Sequence, residues 1–512
     1  MKRICTLLLA AGLLFGAATG ASAIDFNAKG QWLMGFSEGQ GSPVDTYRKD
    51  GVKTKGSHED DFQAAQRLRL QLDAVASESL SGTVYFEIGT TQWGQAGTGG
   101  ALGADANNTI RLKRAYIDWA VPQTDAKVRM GIQGVALPNV AGGSAIMDTD
   151  VAGITVSYKF NDNVGLTALW ARPLNDNYTD VNNKNRQQNY LDNLDLFSLM
   201  VPLTFDGVKV TPWAMYGMVG KNALKGAWTG GNNYDAIGTR DGNPKFTLRP
   251  YPGMTGIDQI GSTGNDYGTA FWAGLPLAIT LWDPLNIELD INYGYMQSMG
   301  RFDAVKNGGA VVKRSSTERQ GWLAKALVEY KLDWGVPGIL GWYASGDDGN
   351  PKNGSQRMPS IVPTGNFTSF LGDGNMGWAR QDYAVDYAGT WGIGAQIRDM
   401  SFIEDLTHTF RVAYWGGTNS TSMVKYMDSA TAWALDYGNG SPSPYLTTND
   451  GLVEFNLVNS YKIYENLEMN LELDYVINCM DNSTWKKANG GNGGSFSKQD
   501  MWKAQVVFAY SF

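Results

Sequence analysis

The sequence predicts an all-β fold: a transmembrane antiparallel β-barrel of about eighteen strands, with sixteen as the alternative count. Three observations carry that prediction. The chain closes on an alternating strand that ends in the aromatic Phe512. Alternating segments of about ten residues, the length a spanning strand needs, recur from end to end. The connectors between them switch between short and long, as periplasmic turns and external loops do.

At the N-terminus, Lys2-Arg3, an apolar stretch from Thr6 to Ala18 and the small-x-small run Ala21-Ser22-Ala23 have the pattern of a cleaved signal peptide over 1–23. The apolar stretch is too short to span a bilayer as a helix. A single barrel domain over 24–512 is then expected. Cys5 lies in the leader, which leaves Cys479 alone and no intrachain disulfide to form. Removing Lys2 and Arg3 leaves 40 basic residues against 50 acidic ones, a formal charge of −10. That acidity argues against a nucleic-acid partner. Residues 267–282 are apolar enough to resemble a membrane helix, but Gly268, Gly274 and Pro276 interrupt them, and they read as a barrel strand.

Strand phases follow from the alternation. Trp32, Met34 and Phe36 share one face, as do Leu68, Leu70 and Leu72, then Val84, Phe86 and Ile88. Ile287, Leu289, Ile291, Tyr293 and Tyr295 alternate with Glu288, Asp290 and Asn292. Leu467, Met469, Leu471, Leu473, Tyr475 and Ile477 alternate with Glu468, Asn470, Glu472, Asp474 and Asn478. Acids at every second position are misplaced in a packed core and suit a water-filled lumen. In the last strand Trp502, Ala504, Val506, Phe508, Tyr510 and Phe512 form the outer row.

Short turns are expected around 77–81, 122–125, 161–163, 206–207, 283–284 and 465–466. Long Gly/Asn/Asp-rich loops are expected over 37–61, 221–266, 346–387 and 418–450. So much loop requires some of it to fold inward or to form a thick cap. Pro212 and Pro276 fall inside candidate strands, where a missing donor calls for bulges.

The most distinctive chemistry lies between Arg67 and Asp150. Alternation turns Arg67 and Arg69 inward, then Arg114, Tyr116 and Asp118, then Lys127, Arg129 and Gln133. Ile110 and Leu112 are out of phase with Ala115, Ile117 and Trp119, so a bulge near Lys113-Arg114 is expected, which also brings Arg111 inward. Sequential hairpins stack these cations into one strip. The following connector, 134–150, is Gly-rich and ends in Asp148-Thr149-Asp150. Folded inward, it would set Asp148 and Asp150 across the pore from the strip, a charged constriction that selects permeating ions. The plainer alternative is that the arginines pair with Glu87, Asp73 and Asp118.

The run Arg114-Ala-Tyr-Ile-Asp-Trp119, then Val128-Arg-Met-Gly-Ile-Gln133 and a Gly-rich loop, resembles the trimeric general-diffusion porins. The whole chain is similar to the outer-membrane homotrimeric porins of sulfate-reducing bacteria, including Tyr343-Ala-Ser-Gly-Asp-Asp-Gly-Asn350 and Arg357-Met-Pro359. The resemblance implies an inward loop between strands five and six, passive diffusion of small hydrophilic solutes and ions across the outer membrane of a Gram-negative cell, and a homotrimer. It also implies that Phe512 is the aromatic read by the barrel-assembly machinery.

Other classes fit less well. An outer-membrane hydrolase needs a histidine base held by a third group, and neither His58 nor His408 has a partner at suitable spacing. No enzyme activity and no cofactor are expected. Trp213, Trp342 and Trp415 would suit a sugar track if they face inward, and an arginine ladder would suit oxyanions. Glu288, Asp290, Glu468, Glu472 and Asp474 weigh against an anion path. Asp347-Asp-Gly-Asn350 and Asp373-Gly-Asn375 offer oxygen ligands for calcium but are also ordinary turn chemistry. A structural or adhesive surface protein is the remaining class.

Overall fold

The computed structural model describes residues 24–512 except 42, 50–51, 56–61, 98, 104–109, 176–190, 192, 222, 224–264, 307–308, 372–386, 428–444 and 489–496. The leader expected over 1–23, His58 and the Asp373–Asn375 run lie outside the described residues.

Antiparallel strands account for nearly all of the wall. They are β1 (Asp25–Gln40), β2 (Gln63–Ser77), β3 (Leu80–Gln92), β4 (Ile110–Ala120), β5 (Ala126–Ala136) and β6 (Asp148–Lys159). Next come β7 (Gly165–Asn175), β8 (Asn193–Met200, continued by Leu203–Phe205) and β9 (Val208–Val210, continued by Trp213–Gly220). The circuit goes on through β10 (Tyr267–Ile279), β11 (Leu285–Met296), β12 (Arg319–Tyr330), β13 (Val336–Ala344) and β14 (Thr390–Ile403). It ends with β15 (Leu406–Gly417), β16 (Gly451–Tyr464), β17 (Leu467–Asn478) and β18 (Met501–Ser511). Each strand pairs with the next, and β1 pairs with β18 from Gln31↔Ser511 to Gln40↔Trp502. Twenty strand segments thus make a closed barrel of eighteen strands, since two of them only continue β8 and β9 past prolines.

The side-chain rows fall as the alternation requires. Trp32, Leu72, Trp119, Trp170, Tyr293, Trp322, Trp391 and Tyr475 are all exposed on the outside. A face that apolar is unstable in water and suits hydrocarbon. Closure leaves no unpaired strand edge in that layer, where an unbonded peptide group would have no water to turn to. Among the described residues no helix is long and apolar enough to cross a membrane. It is a multi-pass outer-membrane β-barrel.

All the short turns (78–79, 121–125, 160–164, 206–207, 280–284, 331–335, 404–405 and 465–466) lie at one end, with both barrel termini. The longer connections lie at the other end. Residues 137–147, together with part of the 345–389 connection, turn back into the barrel. There they pack with Trp272, Trp342 and Trp415 as a dry core inside the ring of strands.

The two prolines behave differently from the expected bulges. Pro212 falls in a gap between the two parts of β9, beside a matching gap at Val201-Pro202 in β8, with Val201 N bonded to Pro212 O at 3.0 Å. Strand β10 runs unbroken through Pro276, which pairs with Asp290 with no register shift. The Pro276 carbonyl accepts from Thr211 N at 3.1 Å. A residue's N–H and C=O share one side in an antiparallel ladder, so the missing donor faces the break in β9. One interruption serves both prolines.

The seam is closed by Phe512 itself. Its N–H donates to Gly30 O at 3.0 Å, and its carbonyl accepts from Gly30 N at 2.8 Å. A Cβ on Gly30 would sit 2.6 Å from the Phe512 ring, whereas one on Gly82 would meet nothing closer than 3.9 Å. Gly30→Leu is expected to destabilise the barrel by about 1–3 kcal/mol, as overpacking does. Gly82→Leu should be near neutral. Urea unfolding in lipid vesicles, followed by the gel-mobility shift of the folded form, measures both.

Candidate functional site: the lumen

The segment Leu137-Pro-Asn-Val-Ala-Gly-Gly-Ser-Ala-Ile-Met147 carries no charge. It is therefore suited to burial once its backbone is bonded. It leaves the wall between β5 and β6 and crosses to β11 and β12. There Asp290 Oδ2 accepts from Val140 N and Ala141 N, both at 2.9 Å. The Lys325 ammonium donates to Ala141 O and Gly143 O. Tyr387 Oη donates to Gly142 O at 2.9 Å. The expected inward loop is thus present, and its far end is held by backbone bonds.

A second inward segment lies alongside it. Gly143-Ser144 pairs with Thr364-Gly365, and Ile361 N donates to Ile146 O at 2.8 Å. The pair forms a beam fixed to the β10–β18 side. Trp272 Nε1 donates to Pro359 O at 2.9 Å, and Phe370 N to Glu454 Oε1 at 2.8 Å. Ser369 N donates to Asn456 Oδ1 at 3.1 Å, and Lys503 Nζ to Ser369 O at 3.2 Å. The Trp342 and Trp415 rings lie 4.2 Å apart, with Phe367 and Tyr387 against Trp342. These tryptophans do face inward, but they are buried in this core and form no open track.

The acids of β16 and β17 are covered as well. Glu454 and Glu472 are fully buried, and Asp474 lies 3.1 Å from Lys503 Nζ. Alternation turned this row inward correctly. Water does not fill the space it faces.

The opposite wall stays open. Arg69 Nε donates to Glu87 at 2.8 Å; Lys113 Nζ lies 3.7 Å from Glu87 and 3.3 Å from Asp150; Arg114 Nε donates to Asp150 at 2.6 Å. Arg129 holds Asp118 through two bonds of 2.7 and 2.8 Å, with its guanidinium 4.1 Å from the Tyr116 ring centre. The side chains of Arg69, Arg114 and Arg129 are 29, 40 and 38% exposed, against 7% for Lys503 and 0% for Lys325. That contrast separates the wet wall from the covered one.

Strand positions order the strip along the barrel axis. Arg67 in β2 pairs opposite Gly89, and Arg111 in β4 opposite Glu87, both toward the long-loop end. The β3–β4 register shifts between Tyr85 and Phe86, which inserts Lys113 and restores Arg111 to the inner row. This is the bulge that the phase change at Ile110 and Leu112 requires. Lys127 and Arg129 lie toward the short turns. There they line a cavity of 520 Å³ with Asp118, Gln133, Thr155 and Ser157.

Asp148 and Asp150 need correction. They do not ride on the inward loop opposite the strip. They begin β6, paired with Ala136 and Gly134, and Asp150 joins the arginines of its own side. The inward loop ends at Met147 because Asp148 N already bonds to Val362 O at 2.8 Å and its neighbours enter the β5–β6 ladder. Glu87 and Lys113, the links of the network, were not among the expected site residues. The signal for Lys113 was the bulge itself.

At the long-loop end Asp347 accepts from Ser355 Oγ and Tyr445 Oη, both at 2.6 Å, and from Gln356 N at 3.2 Å. Asp348 accepts from Asn350 N at 2.8 Å and Asn353 Nδ2 at 2.7 Å. The Asp347–Asn350 run therefore works as a clasp between loops, with its carboxylates engaged by protein donors. His408 Nδ1 lies 2.7 Å from Asn459 Oδ1, and its ring stands beside Phe402.

No protein-family model matches the chain, and no curated protein matches it. Solved structures do. One is Pseudomonas aeruginosa OccK11 (OpdR), at 11% identity and TM-score 0.46, with 95% of each chain covered. Another is P. aeruginosa OccK8 (OprE), at 11% identity and TM-score 0.47, covering 95% of this chain and 98% of that one. A third is P. aeruginosa OpdK with vanillate, at 9% identity and TM-score 0.46, covering 95% and 98%.

Burial lifts the Asp347 carboxyl above its ordinary 3.8, although the Arg357 guanidinium nearby pulls it down. The folded protein keeps this proton to a higher pH than an unfolded chain does. The clasp is then strongest below the ordinary carboxylate range and weakens as pH rises through the folded value. Hydrogen exchange of residues 345–359 should quicken with pH beyond its intrinsic rate in the parent protein. In Asp347→Asn that excess should vanish.

Proposed function

We propose that the chain forms a water-filled channel for passive diffusion of small hydrophilic solutes and ions. The path runs between the beam and the wall carrying Arg67, Arg69, Arg111, Arg114, Lys127 and Arg129, with Asp150 inside that network and Asp148 at its rim. The observation that carries this reading is the difference between the two walls: Arg69, Arg114 and Arg129 on β2–β5 stay partly exposed, while Asp290, Lys325, Glu454, Glu472, Asp474 and Lys503 behind the beam are buried. Fixed charges beside a narrow wet path orient solutes and sort ions.

A second reading, preference for oxyanions and other small anions, has a specific support. The strip holds seven cations, with Lys113 included, against the four carboxylates Asp73, Glu87, Asp118 and Asp150. Of the five acids that weighed against an anion path in the sequence, Asp290, Glu472 and Asp474 are buried, while Glu288 and Glu468 stay half-buried. The same proposal keeps residues 1–23 as a removed leader, Phe512 as the contact for the barrel-assembly machinery, and a homotrimer as the working unit. It assigns no catalysis.

Stepwise conductance of the purified protein in a planar bilayer is the expected result, and its absence would sink the proposal. Removing one unit charge about 7 Å from the path changes an ion's energy in water by roughly 0.6 kcal/mol, or about threefold in permeability. Asp150→Asn should shift the reversal potential in a salt gradient toward anions. Arg129→Gln should shift it toward cations by a similar amount.

A further inference from the structure

Lys325 and Asp290 sit inside the far wall with side chains 0% and 1% exposed. They form an ion pair, yet they bind the loop more closely than each other. The Lys325 Nζ to Asp290 Oδ2 distance is 3.5 Å. Asp290 Oδ2 takes two loop N–H groups at 2.9 Å, and Lys325 donates to two loop carbonyls. Two buried charges left facing only each other would keep most of their desolvation cost. Residues 140–143 supply the missing partners from the backbone alone.

The loop is shaped for this grip. Gly142 and Gly143 have φ of 62° and 78°, a left-handed turn that brings two carbonyls onto one ammonium. The N–H groups that hold the Asp290 carboxylate come from Val140 and Ala141, the two residues just before that turn. A Cβ on Gly142 would lie 2.8 Å from the Phe367 ring, and one on Gly143 would lie 2.0 Å from Thr364 O. Tyr387 closes the grip with its bond to Gly142 O, its ring centre 5.7 Å from Lys325 Nζ.

We propose that Lys325 and Asp290 are positioning residues that pin the inward segment 137–147 to the far wall and so fix the width of the path beside the arginine strip. The proposal rests on the channel reading. Neither residue meets the solute; both act through the loop. Loss of either charge strands the other against backbone dipoles arranged for a pair, and the loop swings toward the open wall or out of the barrel.

Single-channel conductance and liposome swelling with sugars of rising size test this on the full-length protein. Two variants serve, Asp290→Asn and the charge-neutral double change Lys325→Met with Asp290→Leu. The expected result is a shifted conductance and a shifted sugar-size cut-off in both. In the double variant the reversal potential should stay put, because no net charge is lost. Parent-like conductance and cut-off in a folded variant overturn the latch. Should the double variant fail to fold, Asp290→Asn decides alone, since it keeps the shape and the Lys325 bonds. A silent parent protein would instead defeat the channel reading, so the two failures are distinguishable.

Discussion

The structure depends on one constraint: in hydrocarbon every backbone N–H and C=O must find a partner within the protein. Strands satisfy it only when the sheet closes, which puts great weight on the β1–β18 seam. Phe512 and Gly30 exchange two backbone bonds there, and the missing side chain of Gly30 leaves room for the terminal ring. The same constraint explains why Pro212 and Pro276 sit side by side. Placing both lost donors at one interruption of β9 spares the ladder a second gap at Pro276.

Once the wall is closed, the interior is free to carry charge, and the chain uses that freedom in two ways. Behind the beam, Asp290, Lys325, Glu454, Glu472, Asp474 and Lys503 are buried, and many are answered by the beam's backbone, as Glu454 is by Phe370 N. On β2–β5 the charges answer one another sideways, Arg69 with Glu87 and Arg129 with Asp118, and stay half in water. Pairs in such a setting stabilise the fold only weakly. Their sign and spacing act mainly on whatever passes them.

Much of this was legible in the sequence. The row from Leu467 to Ile477 reads as one-sided because each residue type keeps to its own face, and the β17–β18 register follows it without a shift. Asp206-Gly207 and Glu465-Asn466 mark turns by their own chemistry. The bulge at Lys113 was visible as a change of phase. What alternation cannot give is the medium on the inner side. Whether Glu454 and Asp474 meet water or protein depends on a segment more than eighty residues away in the chain, as the Glu454 bond to Phe370 shows. Asp148 and Asp150 were misplaced for a related reason. Asp-Thr-Asp-Val-Ala-Gly has no clear alternation, so the strand could not be seen to begin at Asp148.

The beam also divides the chain in sequence as well as in space. Its anchors, Trp272, Asp290, Lys325, Glu454 and Lys503, all come from the later half, while the arginine wall is confined to residues 67–129. On the proposed reading, the chemistry that meets a permeant is written in one short stretch of coding sequence, and the anchors that hold the narrowing segment 137–147 in place are written elsewhere. Natural variation, or a laboratory graft, can then retune what the pore favours by rewriting that stretch alone, with its bore left as it was.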